Sequence, residues 1–260
     1  MVNDVLICIL AGILAGVGTG FAGLSAAVFI APMLITFLGV DSFTAVGIAL
    51  ASDVLASAAS ALTYARNKNV DLKRGFVLLV TVILATIIGS ITAYHFTSTR
   101  VGENIMGIWL ISGILFMGFR FLFFPGNDTI HLKENSRKIP DFILSILCGI
   151  VVGFVCGFQG TGGGLWMLFA LNIVLKFDYK KAVGTSVSIM SLTALMGAVE
   201  HFAIDGVPEW HMLIICVAAT LFAAQAAAMI ANRISPKLLK RMTGALMVAA
   251  GIGMVIVKLL

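Results

Sequence analysis

Apolar residues in this chain do not alternate with polar ones; they come in blocks. Blocks at about 43–65, 75–96, 104–124, 182–203, 212–232 and 242–259 hold few charges. Each is long enough, at about 1.5 Å per residue, to cross a hydrocarbon layer roughly 30 Å thick. Two further blocks, 5–39 and 140–176, are too long for one ordinary span, and glycines interrupt both at the same place. Backbone in lipid must satisfy its own hydrogen bonds, so only helices or a closed barrel can cross. Barrel strands show segments of about ten residues alternating apolar with polar, whereas Gly75 to Phe96 is apolar on every face. The pattern predicts an all-α integral membrane protein.

The blocks repeat. Residues 4–123 laid on 141–260, a shift of 137, match without a gap and give 24 identities in 120 pairs. The matches gather at glycines: Gly12, Ile13, Gly16, Gly20, Phe21 and Gly23 fall on Gly149, Ile150, Gly153, Gly157, Phe158 and Gly160. Asp41, Ala45, Val46 and Gly47 fall on Asp178, Ala182, Val183 and Gly184. The chain thus reads as repeat 1 (1–124), a polar cytoplasmic linker (125–139) and repeat 2 (140–260). Each repeat is a broken-helix hairpin, 5–39 or 140–176, followed by three transmembrane helices. With the break near its middle, each hairpin has two arms of about 15 residues that reach only about 22 Å, so their connection is expected inside the membrane.

Charge sets the threading. If each hairpin returns to the side it started from, one set of loops collects 15 of the 17 Lys and Arg residues, leaving out only Arg100 and Lys258. If each hairpin crosses once, the split is 8 against 9. The positive-inside rule therefore favours two inverted-topology repeats in the plasma membrane with both termini outside. Broken helices at corresponding positions of inverted repeats are a secondary-transporter architecture with its site at the midplane. The chain is 60% hydrophobic and 11% charged, and its net charge of +5 sits in short loops without aromatic interleaving. That distribution suits topology and lipid headgroups, not nucleic acid. Cys8, Cys148, Cys156 and Cys216 lie inside apolar blocks without metal-ligand spacing and read as small buried hydrophobes. The opening Met1-Val2-Asn3-Asp4 lacks the basic start of a signal peptide, so the first block is expected to be retained.

The second break reads Gly157, Phe158, Gln159, Gly160, Thr161, Gly162, Gly163, Gly164 and leads directly into an apolar arm. Glycines leave backbone N–H groups uncovered and permit left-handed turns. Such a turn opening a helix offers donors and a positive dipole end to a small oxyanion. The first break, Gly20, Phe21, Ala22, Gly23, Leu24, Ser25, keeps the G-F-x-G frame without the glycine run, so Ser25 is expected to contribute there. The competing reading is that the glycines only let helices pack closely. No Lys-Ser or Lys-Thr pair follows them, which disfavours a soluble phosphate loop.

Asp53 is the one acid well inside an apolar block, where a carboxylate is costly enough to need a purpose. Ser57 and Ser60 share its helical face. Proton or cation coupling competes with a structural hydrogen-bonding role. Ser186, Ser188 and Ser191 line the equivalent helix, as polar lining or as hydroxyls bonded to their own preceding turn. Glu200 and His201 are expected near a helix end, and Asn172 as packing glue or substrate contact.

At these residues the chain resembles the TauE/SafE sulfite exporter family. The resemblance spans nearly the whole chain and is most specific at the duplicated glycine break, the Ala-Val-Gly helix starts, and Asn69-Val70-Asp71. It departs at Leu24-Ser25-Ala26-Ala27, where members often carry more glycine, and at Ile48, where Thr is usual. The resemblance implies a transporter of sulfite or related sulfur-containing anions without a cofactor. Export is the expected direction, with proton coupling through Asp53 and homo-oligomerisation left open and an uptake permease or a channel as the alternative. A membrane enzyme is disfavoured because His95, His131, His201 and His211 are scattered and no HExxH pattern occurs.

Overall fold

A computed structural model of the chain describes residues 2–96, 100–126, 140–159, 163–206 and 208–259. Among these the regular structure is helical, with no strand. In the first half, α1 is Val2–Ala22, α2 Ile30–Leu38, α3 Ser42–Arg66, α4 Leu72–Phe96 and α5 Arg100–Phe123. In the second, α6 is Asp141–Gln159, α7 Gly164–Phe169 running on into a π-helical turn Ala170–Val174, α8 Tyr179–Asp205, α9 Trp210–Arg233 and α10 Pro236–Leu259. Helices α1, α3, α4, α8, α9 and α10 contain stretches long and apolar enough to cross a membrane.

Local chemistry accounts for the boundaries. Gly23, at φ +62°, ends α1, its N–H donating to the Thr19 carbonyl at 2.9 Å. Ser25 then accepts from the Ala27 amide at 3.3 Å, turning the chain through a short 3₁₀ segment into α2. Pro32 sits in the first turn of α2, where a missing N–H costs nothing. The Asp41 carboxylate caps α3 by accepting from Phe43 and Thr44. Gly39 and its counterpart Lys176, 137 residues on, both adopt positive φ at the ends of the hairpins.

The arms of the hairpins correct one expectation. They are not two equal pieces of about 15 residues: the first arms have 21 and 19 residues, and α2 has 9. Gly20, which the sequence placed in the first break, stays helical and with Gly12 and Gly16 forms a stripe along one face of α1, four residues apart. A Cβ added at each would lie 2.6, 2.7 and 2.6 Å from the Cβ atoms of Ala219, Ala223 and Ala227 on α9. Gly149, Gly153 and Gly157 do the same on α6, against Thr81, Ala85 and Thr86 of α4. Small residues let two backbones approach closely in a membrane; here they join helices instead of ending them.

Helices of the two halves pack on one another: α1 on α9, α4 on α6, α3 on α8 and α5 on α10. In the first two pairs residue numbers rise together, as Gly12 beside Cys216 and Gly20 beside Ala228 show. In the other two they run opposite ways, with Gly47 against Phe202 but Tyr64 against Gly184, and Gly118 against Met247 but Gly251 against Leu115. Large apolar side chains such as Leu84, Ile88, Ile214 and Phe222 are exposed on the outside of the bundle, the side that lipid covers in a membrane protein.

Candidate functional site

The two breaks meet. The backbone of Gly164 lies against the Gly23 carbonyl with no room for a side chain, and a Cβ on Gly23 would sit 3.2 Å from the Ser186 hydroxyl. Gly163, at φ +75°, precedes α7, and its Cα faces the Cys156 sulfur so closely that a Cβ would overlap it. Both conformations need glycine, one for its left-handed backbone and the other for its neighbour.

Beside this junction lies Asp53, fully buried on α3. Thr19 of α1 donates to its Oδ1 at 3.5 Å, and the Ser25 hydroxyl and Ala26 amide lie beside the carboxyl group. No hydrogen bond of good geometry reaches Asp53 Oδ2, Ser60 Oγ or Ser186 Oγ, all fully buried. A buried polar atom without a partner costs about 1–3 kcal/mol, and two of these, on Asp53 and Ser186, lie beside the meeting breaks.

A cavity of about 460 Å³ reaches toward this junction from one end. It lies between α4 and α8, which scarcely touch, and its polar lining comes from Thr86, Ser90, Thr193, Glu200 and His201. Its inner wall includes Cys156, the residue that abuts Gly163. The related interface between α3 and α9 is closed. Thr63 donates to Gln225 at 3.1 Å, Tyr64 to the Gly20 carbonyl at 2.9 Å and Asn69 to Asn232 at 2.7 Å. Shifting by 137, Thr63, Tyr64 and Gly20 become Glu200, His201 and Gly157, which line the open cavity.

The residues singled out from the sequence separate into groups. Gly23, Ser25, Gly163, Asp53 and Ser186 come together at the junction. Gly20, Phe21, Gly157 and Phe158 lie inside helices instead of in the break loops, the glycines against α9 and α4 and both phenylalanines buried. Ser57 and Ser188 donate to carbonyls one turn back, Asp53 and Gly184, which satisfies their hydroxyls locally. Gly160, Thr161, Gly162 and the side chain of Gln159 lie outside the described residues. Asn172 donates to the Phe177 carbonyl at 3.0 Å, away from the junction. Thr19, Tyr64 and Gln225 are additions that single-helix patterns could not reveal, because each acts across helices distant in sequence.

A model of the sulfite exporter TauE/SafE family matches residues 8–254, nearly the whole chain. The chain belongs to this family. It is 22% identical over 261 residues to the probable membrane transporter protein MJ0441 of Methanocaldococcus jannaschii, covering 95% of this chain and 94% of that protein. It is 26% identical over 248 residues to the probable membrane transporter protein YunE of Bacillus subtilis, covering 89% and 90%. This TauE/SafE member is therefore a multi-pass membrane transporter. Its Asn69-Val70-Asp71 turn ties three helices together: Asn69 bonds Asn232 of α9, the Asp71 amide donates to Thr185 of α8 at 3.1 Å, and Gly184 packs on the Asn69 carbonyl.

Proposed function

We propose that this chain is a secondary transporter that exports a small sulfur-containing anion, sulfite or an organic sulfonate, across the plasma membrane by alternating access between inverted repeats. One observation carries the reading: a buried junction of two helix breaks, with unpartnered polar atoms, is approached by a cavity from one end and shut at the other. The closed end argues for a carrier over an open channel. The parallel and antiparallel pairings of the helices support a relation of the two halves by an axis in the membrane plane. Exchange of the two related interfaces, with α4 closing on α8 as α3 parts from α9, would present the junction to the other side. Charge distribution assigns the closed end to the cytoplasm and both termini to the outside.

Asp53 supplies the coupling. An anion beside an ionised carboxylate is repelled strongly in a poorly screened interior, so anion occupancy and a proton on Asp53 favour each other. Ser186 and the backbone around Gly163 are the groups that meet the anion. An inside-negative potential favours anion exit by about 2.3 kcal/mol per charge per 100 mV.

The test is reconstitution. Purified protein in vesicles loaded with sulfite should give saturable efflux that accelerates with an inside-negative potential and responds to a pH gradient. Flux that rises linearly with concentration would point to a channel, and an absence of sulfite or sulfonate flux would overturn the substrate class.

A further inference from the structure

A second pocket, of about 500 Å³, lies at the end of the bundle where α5 finishes and α10 begins, away from the junction of the breaks. Arg120, Lys237, Lys240 and Arg241 all line it, and none of its described lining residues is acidic. Lys240 is 7% exposed and its ammonium sits 5.4 Å from the Tyr179 ring centroid, a cation–π contact that fixes it in the wall. The start of α10 adds the positive end of its dipole, with Ser235 capping the Leu238 amide. Arg120, Lys237 and Arg241 alone bring enough positive charge to one concavity to favour an anion there.

The surroundings say what kind of anion. Phe116, Phe119 and Phe123 follow one face of α5 down from the pocket, are 62%, 48% and 63% exposed, and are continued at the rim by Phe124 at 73%. Phe119 and Phe123 stack at 5.9 Å. A free inorganic anion has no use for an apolar track leading from its site. An amphiphile does, with its head among the cations and its chain along the phenylalanines. We propose that this pocket seats the phosphate headgroup of an anionic phospholipid, and that four cations favour a headgroup with two phosphates over one. Basic pockets between membrane helices take such headgroups. Asn172 also lines the pocket and belongs to the second arm of the second hairpin, so the bound lipid braces that arm.

The full chain in neutral detergent is titrated with diphosphatidylglycerol, phosphatidylglycerol, phosphatidylcholine and inorganic phosphate, read by native mass spectrometry and by melting temperature. Diphosphatidylglycerol should bind and raise the melting temperature most, phosphatidylglycerol less, and the other two not at all. Removing two exposed cations in Lys237→Gln/Arg241→Gln should weaken lipid binding by about 25-fold, about fivefold per charge. Arg120→Gln serves as a second variant if that pair fails to fold. Phe123→Ala/Phe124→Ala should weaken lipid binding with all four cations in place. Arg66→Gln/Lys73→Gln, exposed cations elsewhere, should bind as wild type. Equal binding of phosphatidylcholine, a full shift from inorganic phosphate alone, unchanged lipid binding in the pocket variants, or an equal loss in Arg66→Gln/Lys73→Gln overturns the proposal.

Discussion

The interface between α3 and α9 and that between α4 and α8 occupy matching places in the two halves, yet one is shut by side-chain hydrogen bonds and the other holds a cavity. The helices of the two interfaces correspond by the same 137-residue shift that aligns the glycines. What differs is the chemistry at matching positions. Thr19 and Asp53 of the first half become Cys156 and Met190 in the second, and Ser60 becomes Gly197. The duplication has kept the small residues that set how close the helices lie, while the titratable group survives in one copy only. The glycine positions are shared by the two halves and the carboxyl group is not.

The largest effect should come from freezing one interface. In a background lacking the four native cysteines, a disulfide between Thr63→Cys and Gln225→Cys should abolish transport and a reductant should restore it. The matching pair across the open side, Ile88→Cys with Glu200→Cys, should cross-link only while substrate is being turned over. Full flux through the Thr63–Gln225 cross-linked protein would break the idea that the two interfaces alternate.

The chemical half of the comparison is tested next by Asp53→Asn, which should leave a folded protein with sulfite efflux that no longer responds to a pH gradient. Met190→Asp, placing a carboxyl at the matching site of the other half, should not restore it. A mutant with the wild-type pH response would give Asp53 a purely structural role.

Gly163→Ala should act on both shape and transport. A left-handed backbone costs about 1–2 kcal/mol for a residue with a Cβ, and the added carbon meets the Cys156 sulfur. Flux and melting temperature should both fall, with part recovered in Gly163→Ala/Cys156→Ala, which removes the overlap but not the strain. Gly20→Ala, which crowds α9 instead, should lower the melting temperature more than the flux per folded molecule.

The smallest effect is expected at Ser186. Ser186→Ala removes a hydroxyl without a protein partner, so it should leave stability intact and raise the KM for sulfite severalfold, about 1 kcal/mol. Ser57→Ala and Ser188→Ala remove hydroxyls already satisfied within their own helices and should leave KM unchanged. Equal KM changes at all three serines would dissolve the distinction that the hydrogen bonds draw.

The helical blocks, the duplication and the existence of two breaks were legible because apolar run length and repeated glycines are one-dimensional signals. Asp53 was legible for a similar reason, as a lone acid among apolar residues. The start of each break was not. Gly20 looks like part of an interruption in sequence, but whether a glycine ends a helix or lets a neighbour approach depends on that neighbour, α9, which lies about two hundred residues away. The same holds for Ser186 and Ser188: two residues apart, Ser188 bonds its own helix while the Ser186 hydroxyl faces Gly23 without a partner, and only the packing of α8 against the first break distinguishes them. Thr19 could not be placed beside Asp53 before α1 and α3 were seen together.

Pairing helices across the two halves also sets a timetable for biogenesis. Cys8 and Cys216, which touch across α1 and α9, are 208 residues apart, and at about 5–20 residues per second a ribosome needs roughly 10–40 s to make the second after the first. Until α9 is made, the glycine stripe of α1 lacks the partner it has in the folded chain. Mutations in the stripe should therefore be felt first as degradation of newly made chains, which a pulse-chase measurement would show.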